Sequence, residues 1–264
     1  MLHLLKKQED PKYEHKTEKL DQKDNQFTSK KFHKIRKDST RKIMLKSLGK
    51  IGLCLNDRDI TDIPKTDLDK VCFILINDCD KELGVGPIND GYLIALNHKK
   101  MGYKVYYLYN ALYLEFISFI WYFLDNTSDA LTIFYSGKNK NGEGIDFSDT
   151  LLTKSSLNDV IVSNCNGKAR VMFITDSLNG GSVFDIKGAK NVISFYVRKS
   201  SLCDNKQNKR SHGIFTYYFC KLTNECSTIT PLELTEKMDD LLSRFEEVLE
   251  FDTTSEELGE NPIF

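Results

Sequence analysis

The sequence predicts an α/β fold in which a mostly parallel, six-stranded sheet is covered by helices on both faces. Two observations lead to this prediction. From about residue 70 onward, short apolar runs alternate with segments whose apolar residues have helical spacing. The apolar runs are continuous rather than alternating, which is typical of strands buried on both faces of a parallel sheet.

Each predicted element follows from its own residues. Strands are predicted where short runs are apolar, β-branched or aromatic, at 71–76, 103–109, 130–135, 170–175, 192–197 and 261–264. Helices are predicted at 88–101, 111–124, 155–162, 213–222 and 231–251. Gly102 ends the first helix, and Pro231 begins the last. The polar, Gly-rich segment 138–148 indicates a loop.

The charge of the chain is unevenly distributed. Residues 1–50 contain 15 Lys and Arg against 7 Asp and Glu, a net charge of +8, whereas residues 51–264 contain 22 against 31, a net charge of −9. We therefore predict a basic, flexible arm over residues 1–66 and a folded domain over residues 67–264. A run of charged residues is usually solvated and has no binding role. The alternative is that residues 30–50 bind nucleic acid or an anionic membrane.

No apolar segment of the sequence has the length of a transmembrane helix. The longest one, 111–124, is interrupted by Glu115 and falls short of the roughly 20 residues that a bilayer needs. The apolar run 1–5 is too short for a signal peptide. The seven cysteines include no CxxC pair and no Cys/His spacing of a zinc site. These features predict an intracellular, cytoplasmic protein with reduced thiols.

Three loops follow predicted parallel strands, and such loops carry the functional residues of α/β folds. The segment Asp176-Ser177-Leu178-Asn179-Gly180-Gly181-Ser182-Val183-Phe184-Asp185-Ile186 resembles the nucleophile segment of type I metacaspases, D-C-C-H-S-G-S followed by an apolar pair, Asp and Leu. Tyr135-Ser136-Gly137 resembles the family's Y-S-G-H-G, which carries the catalytic His. Leu83 to Gly91 resembles L-x-G-C-x-N-D-A, and His212 to Tyr217 resembles a helix start, G-A-F-T-Y. These four segments keep the family's order over about 195 residues, so the resemblance implies a caspase-like fold.

The same resemblance indicates that the catalytic dyad is lost. The family cleaves after Arg or Lys with a Cys thiolate and a His. Leu178 stands at the Cys position and has no nucleophilic atom, while Lys138 stands at the His position. Lysine is ordinarily protonated at neutral pH, so it is a poor base. Ser177, activated by Lys138, is the alternative nucleophile, and Cys165 and Cys203 are others.

The substrate pocket of the family is better preserved. In the family, this pocket holds the basic P1 side chain of the substrate with three groups, which match Asp90, Ser136 and Asp176 here. Two carboxylates are suited to binding a guanidinium. Structural roles are the alternative: a helix dipole favours Asp90 near the helix N-terminus, and Asp176 caps its own loop. Lys138 filling the pocket is a further alternative.

The resemblance also implies calcium, although no cofactor is required for binding. Asp185 matches a family calcium ligand, and Asp146 and Asp149 lie in the loop that supplies the others. Calcium takes 6–8 oxygens, several of them from carboxylates, and three or four acids could suffice; solvated loop acids are the alternative.

From these residues we predict a metacaspase-like pseudopeptidase that binds basic peptide segments or regulates an active homologous protease. One alternative is an active Arg/Lys-specific endopeptidase with a non-standard nucleophile. Another is a nucleic-acid or membrane adaptor that works through the basic arm.

Overall fold

The computed structural model describes residues 39–64, 68–78, 84–139, 143–177, 180–199, 213–243 and 247–264. These residues belong to one compact unit, Ser39–Phe264. Its strands are β1 Leu53–Cys54, β2 Lys70–Ile76, β3 Lys104–Tyr109, β4 Ala130–Gly137, β5 Gly144–Asp146, β6 Leu151–Thr153, β7 Asn166–Ser177, β8 Lys190–Lys199 and β9 Glu247–Thr253. Its helices are α1 39–48, α2 Gly86–Lys100, α3 Tyr113–Asn126, α4 Lys154–Asn164, α5 Ile214–Glu225, α6 Pro231–Leu242 and α7 Glu256–Glu260, with a 3-10 turn at Ile60–Asp62.

A seven-stranded sheet forms the centre of this unit, in the order β1-β3-β2-β4-β7-β8-β9. Every neighbouring pair is parallel except β8 and β9, which are antiparallel. The alternating strands and helices explain this topology, because parallel neighbours need a crossover connection. The mostly parallel α/β prediction is confirmed, with seven strands in place of the predicted six.

Helices cover both faces of the sheet, and β2 shows why its sequence is continuously apolar. Val71, Phe73 and Leu75 point into the core that lies under α3 and α4. The alternate residues of the same strand, Cys72 and Ile74, point into the core under α2, α5 and α6. Side chains of a strand alternate between the two faces, so a strand buried on both is apolar at every position.

The C-terminal part of the chain differs from the prediction. The helix predicted over 231–251 ends at Leu242, and β9 pairs with β8 over seven residues. The strand predicted over 261–264 is wrong; Ile263 N donates to Ile229 O at 2.9 Å in an irregular segment. The predicted loop 138–148 contains β5, which pairs with β6 in a short hairpin.

The folded unit begins before the predicted boundary at residue 67. Leu48 of α1, Leu55 and Ile63 are all buried in the cores. Residues 39–63 therefore pack with the domain instead of belonging to an arm. The remainder of the predicted basic contact segment, residues 30–38, lies outside the described residues. Within the described ranges, no helix combines the length and apolarity needed to cross a membrane.

Candidate functional site

The carboxyl ends of β2, β4 and β7 lie side by side at one edge of the sheet. Asn77, which follows β2, donates its backbone N–H to Ser136 O at 2.9 Å. A Cβ at Gly137 would lie 2.8 Å from Asn77 O, which is closer than a Cβ atom comes to a backbone oxygen in real proteins. Glycine at the end of β4 therefore lets the chain after β2 pack directly against it.

The three predicted pocket residues come together at this edge. Ser136 and Asp176 are register partners on β4 and β7, as the parallel pairing requires. Ser136 Oγ donates to Asp90 Oδ2 at 2.9 Å, which joins β4 to the first turns of α2. Thr216 Oγ1, from α5, donates to Asp176 Oδ2 at 2.6 Å. The two carboxyl groups thus form an acid pair, Asp90 and Asp176, held by one hydroxyl each.

Thr216 is a member of this site that the sequence did not single out by role. It lies in the segment that resembles the G-A-F-T-Y helix start, so the resemblance carried the signal. In α5 it occupies the third position after the N-cap Gly213. Its hydroxyl fixes the orientation of Asp176 because a short hydrogen bond to a carboxylate is directional.

Burial and like charge both act on the acid pair. Asp90 is 0% exposed and Asp176 is 9% exposed. Burial, and then the negative charge of Asp176, raise the pKa of Asp90 well above its usual range, against the hydrogen bond from Ser136. Asp90 Oδ1 has no hydrogen-bond partner among the described residues. Burial and the neighbouring charge therefore both disfavour ionisation of Asp90.

The start of α5 covers Asp90. Gly213 has φ 116°, in the region that favours glycine. A Cβ at this position would lie 2.8 Å from Asp90 Oδ1, so any larger residue would press on the carboxyl group. Asp90 is thus sealed by backbone, and Asp176 is the member of the pair that is closer to solvent.

Of the two predicted catalytic positions, the structure describes Lys138 but not Leu178. Lys138 is half-buried, and its backbone carbonyl accepts a hydrogen bond from Tyr135 Oη at 2.6 Å. Leu178 and Asn179, at the predicted nucleophile position and the residue after it, lie outside the described residues. The prediction of a lost dyad therefore stays a prediction.

The alternative nucleophile, Ser177, is 6% exposed and hydrogen-bonded. Asn139 Nδ2 donates to Ser177 Oγ at 2.9 Å and to Gly180 O at 2.6 Å. Ser177 Oγ in turn donates to Gly180 O at 3.4 Å. These partners are an amide and a carbonyl, and neither takes up the proton that a nucleophilic serine must lose. Asn139, which the sequence did not single out as functional, therefore ties the ends of β4 and β7 together.

The cysteines considered as further nucleophiles gain no support from the structure. Cys165 is 5% exposed, and burial raises the pKa of its thiol to about 12. The nucleophile of a cysteine peptidase is the thiolate, so a buried thiol with a raised pKa is poorly suited to that role. Cys203 lies outside the described residues.

The predicted calcium ligands do not share a site. Asp149 accepts from Tyr113 N at 3.1 and 3.4 Å, at the first turn of α3. Asp185 accepts from Lys187 N at 3.0 Å and lines a surface cleft of about 550 Å³ that includes neither Asp146 nor Asp149. Among the described residues, no group of three or more His, Cys, Asp or Glu could hold a metal ion. The described acids thus do not assemble the 6–8 oxygen ligands that calcium takes.

Comparison with known proteins identifies the fold. No protein-family model and no curated protein matches the sequence. The solved structure of pro-sf-caspase-1 matches with a TM-score of 0.53 at 14% identity, over 70% of this chain and 90% of that one. Caspase-1 from Spodoptera frugiperda matches with a TM-score of 0.52 at 11% identity, over 70% of this chain and 86% of that one. At such identities the likeness shows architecture alone, and that architecture is the caspase-like α/β fold.

Proposed function

We propose that this chain is a catalytically inactive relative of type I metacaspases that binds a basic segment of a peptide or protein, including one carried by an active homologous protease. The observation that carries the proposal is the acid pair of Asp90 and Asp176 at the carboxyl edge of a caspase-like sheet. Lys138 stands beside this edge, where the family resemblance expects the catalytic His.

Three features support inactivity. Lysine is ordinarily protonated at neutral pH, so Lys138 is a poor base for activating a nucleophile. The leucine at position 178 offers no nucleophilic atom. Ser177, the alternative nucleophile, already accepts a hydrogen bond from the Asn139 amide.

Three features support recognition of a basic side chain. Arg and Lys bring only donors and positive charge, and the acid pair offers acceptors and negative charge. Asp176 is closer to solvent than the fully buried Asp90, so its carboxylate is the acceptor that a ligand meets first. Ser136 and Thr216 hold one oxygen of each carboxyl group in place, which lowers the entropy lost on binding.

The first experiment tests activity. Purified full-length protein is incubated with fluorogenic Arg and Lys peptides, with and without millimolar calcium, beside a variant carrying both Leu178→Cys and Lys138→His. We expect no cleavage by the natural protein and a gain of cleavage in the double variant. Cleavage by the natural protein that is abolished by Ser177→Ala would instead establish the active-peptidase alternative.

The second experiment tests recognition. Fluorescence anisotropy compares a labelled peptide that contains one arginine with the same peptide carrying citrulline. We expect Asp176→Asn to weaken binding of the arginine peptide by roughly 10- to 100-fold, the usual effect of losing one charge-assisted hydrogen bond. Asp159→Asn is the matched control, because Asp159 is an exposed acid of α4. Equal affinity for both peptides would rule out recognition of a cation.

A further inference from the structure

The acid pair is enclosed by groups that do not neutralise two charges. Asp90 meets Ser136 from β4, Asp176 from β7 and the backbone of Gly213 at the start of α5. The other titratable group that senses it is Cys220 of α5, whose pKa is raised by burial and then by the charge of Asp90. Among the described residues, no Lys, Arg or His acts on Asp90.

Two buried carboxylates in this position oppose each other's ionisation. Each ionised carboxylate raises the cost of ionising the other, and burial removes the water that would screen them. The position of the remaining proton follows from the hydrogen bonds. Ser136 donates to Asp90 Oδ2 and Thr216 donates to Asp176 Oδ2, so both of these oxygens act as acceptors. Of the two remaining oxygens, Asp90 Oδ1 is the one that is buried without a described partner, so we assign the proton to it.

We propose that the acid pair holds one proton in the free protein and that a basic side chain binds by displacing that proton to solvent. This inference rests on the proposed function, since it concerns the same site. A guanidinium or ammonium group meets the pair at Asp176, which is closer to solvent than the fully buried Asp90. The incoming cation also favours the ionised form of the carboxyl group beside it. The O–H bond of the Asp90 carboxyl group breaks, its electron pair stays on the carboxylate, and the proton goes to solvent as the cation enters.

The consequence is proton-coupled binding. When one proton is released per ligand, the affinity rises roughly tenfold for each unit of pH below the pKa of the pair and levels off above it. A surface acid pair would show no such dependence above the ordinary carboxylate range. The coupling thus distinguishes a buried, proton-bearing site from simple charge attraction.

The free protein is measured first. Carboxyl ¹³C NMR of full-length protein labelled at aspartate follows each carboxyl group through a pH titration. We expect one carboxyl group to titrate well above the ordinary aspartate value of about 3.9. This resonance should be absent in Asp90→Asn and unchanged in Asp159→Asn. Ionisation of every aspartate in the ordinary range would overturn the inference.

Ligand binding is measured next, by calorimetry with the arginine peptide in two buffers that differ in ionisation enthalpy. We expect release of about one proton per peptide in the natural protein and in Asp159→Asn, and none in Asp90→Asn. Binding without proton release would overturn this inference and leave the proposed function standing. A third outcome is that the peptide fails to bind a protein whose acid pair does hold a proton. That result would overturn both the proposed recognition of a basic side chain and the proposed displacement of the proton.

Discussion

The residue that best shows how burial sets chemistry in this domain is His98 of α2. It is fully buried, with edge contacts to the rings of Tyr103 and Phe264. Its Nδ1 lies 3.0 Å from the carbonyl of Ile94, which only accepts, so Nδ1 carries the proton. Its Nε2, 3.0 Å from Thr132 Oγ1, then accepts from that hydroxyl. Both nitrogens of the neutral ring are satisfied, and burial lowers the pKa of His98 to about 4.

We predict that His98 makes the protein acid-labile. Its folded pKa is lowered from 6.5 to about 4. Its contribution to stability is therefore fully present above pH 6.5 and is lost as the pH falls to about 4. The loss amounts to about 3 kcal/mol of unfolding free energy, since each unit of pKa shift corresponds to about 1.4 kcal/mol. Urea unfolding of the natural protein and of His98→Gln, from pH 7 to pH 4, measures this difference.

The Asp90 carboxyl group changes stability with pH in the direction opposite to His98. The contribution of His98 is therefore taken as the difference in unfolding free energy between the natural protein and His98→Gln. Because the folded pKa of Asp90 is raised, its contribution is present below the ordinary aspartate pKa and is lost as the pH rises through the raised value. Thr132→Ser, which keeps the hydroxyl donor, is the control and should retain the acid dependence. Equal pH dependence in natural protein and His98→Gln would contradict the prediction.

Single residues of the site were predictable to different degrees. Asp90, Ser136 and Asp176 were found through a family resemblance and the rule that parallel strands end at one edge. Their depth was not predictable, because Asp90 is sealed by Gly213, which is 123 positions away in the sequence. The role of Asn139 was missed for the same reason: its partners Ser177 and Gly180 are brought to it only by the pairing of β4 with β7.

Among the elements, α1 is tied to the site edge by an ion pair. Arg41 Nε lies 2.5 Å from Asp78 Oδ2, and its Nη2 donates to Asp78 Oδ1 and to Gly84 O, each at 3.1 Å. The Asp78 side chain is buried and also accepts from Tyr109 Oη at 3.1 Å. A planar guanidinium suits this two-point contact, which an ammonium group does not reproduce.

We predict that Arg41→Met lowers the unfolding free energy by about 2–3 kcal/mol, because it leaves the buried Asp78 carboxylate without its cation. Lys46→Met is the control: Lys46 is exposed on the same helix, and its loss should change stability by less than about 0.5 kcal/mol. Urea unfolding measures both variants. Adding Asp78→Asn to Arg41→Met should recover part of the lost unfolding free energy. An Arg41→Met protein as stable as the control would contradict a stabilising role of the Arg41–Asp78 ion pair.

Elements whose pattern is local were predicted, and those that depend on tertiary pairing were not. The run 71–76 alone indicates a buried strand, and β2 is found there. The segment that forms β9 contains Glu247, Glu250 and Asp252, a composition that favours a helix over an interior strand. Pairing with β8 overrides that preference. β1, with two residues, is too short to show any period in the sequence.

At the scale of the whole molecule, the extent of the folded unit is set by burial and not by charge. The basic composition of residues 1–50 suggested an arm that reaches residue 66. Yet Leu48, Leu55 and Ile63 have exposed fractions of 0%, 0% and 3%. Charge describes the exposed face of a helix such as α1, whereas its few apolar residues decide whether it docks.

We therefore predict that a fragment of residues 39–264 folds and that a fragment of residues 67–264 does not fold stably. Each of the three buried side chains contributes about 1.5–3 kcal/mol when removed from water. Their combined loss is comparable with the whole stability of a typical domain, about 5–15 kcal/mol. Thermal and urea unfolding of the two fragments, followed by circular dichroism, makes the comparison.

Point variants in the full-length chain separate the docking of α1 from the effect of chain length. Leu48→Ala should cost about 2–5 kcal/mol, because it opens a cavity in the core under α2 and α5. Ile43→Ala, on the same helix but 66% exposed, should cost far less. If the fragment 67–264 unfolds cooperatively at the same midpoint as 39–264, and Leu48→Ala is as mild as Ile43→Ala, then α1 adds nothing to stability. The boundary predicted from charge would in that case describe the folding unit better than burial does.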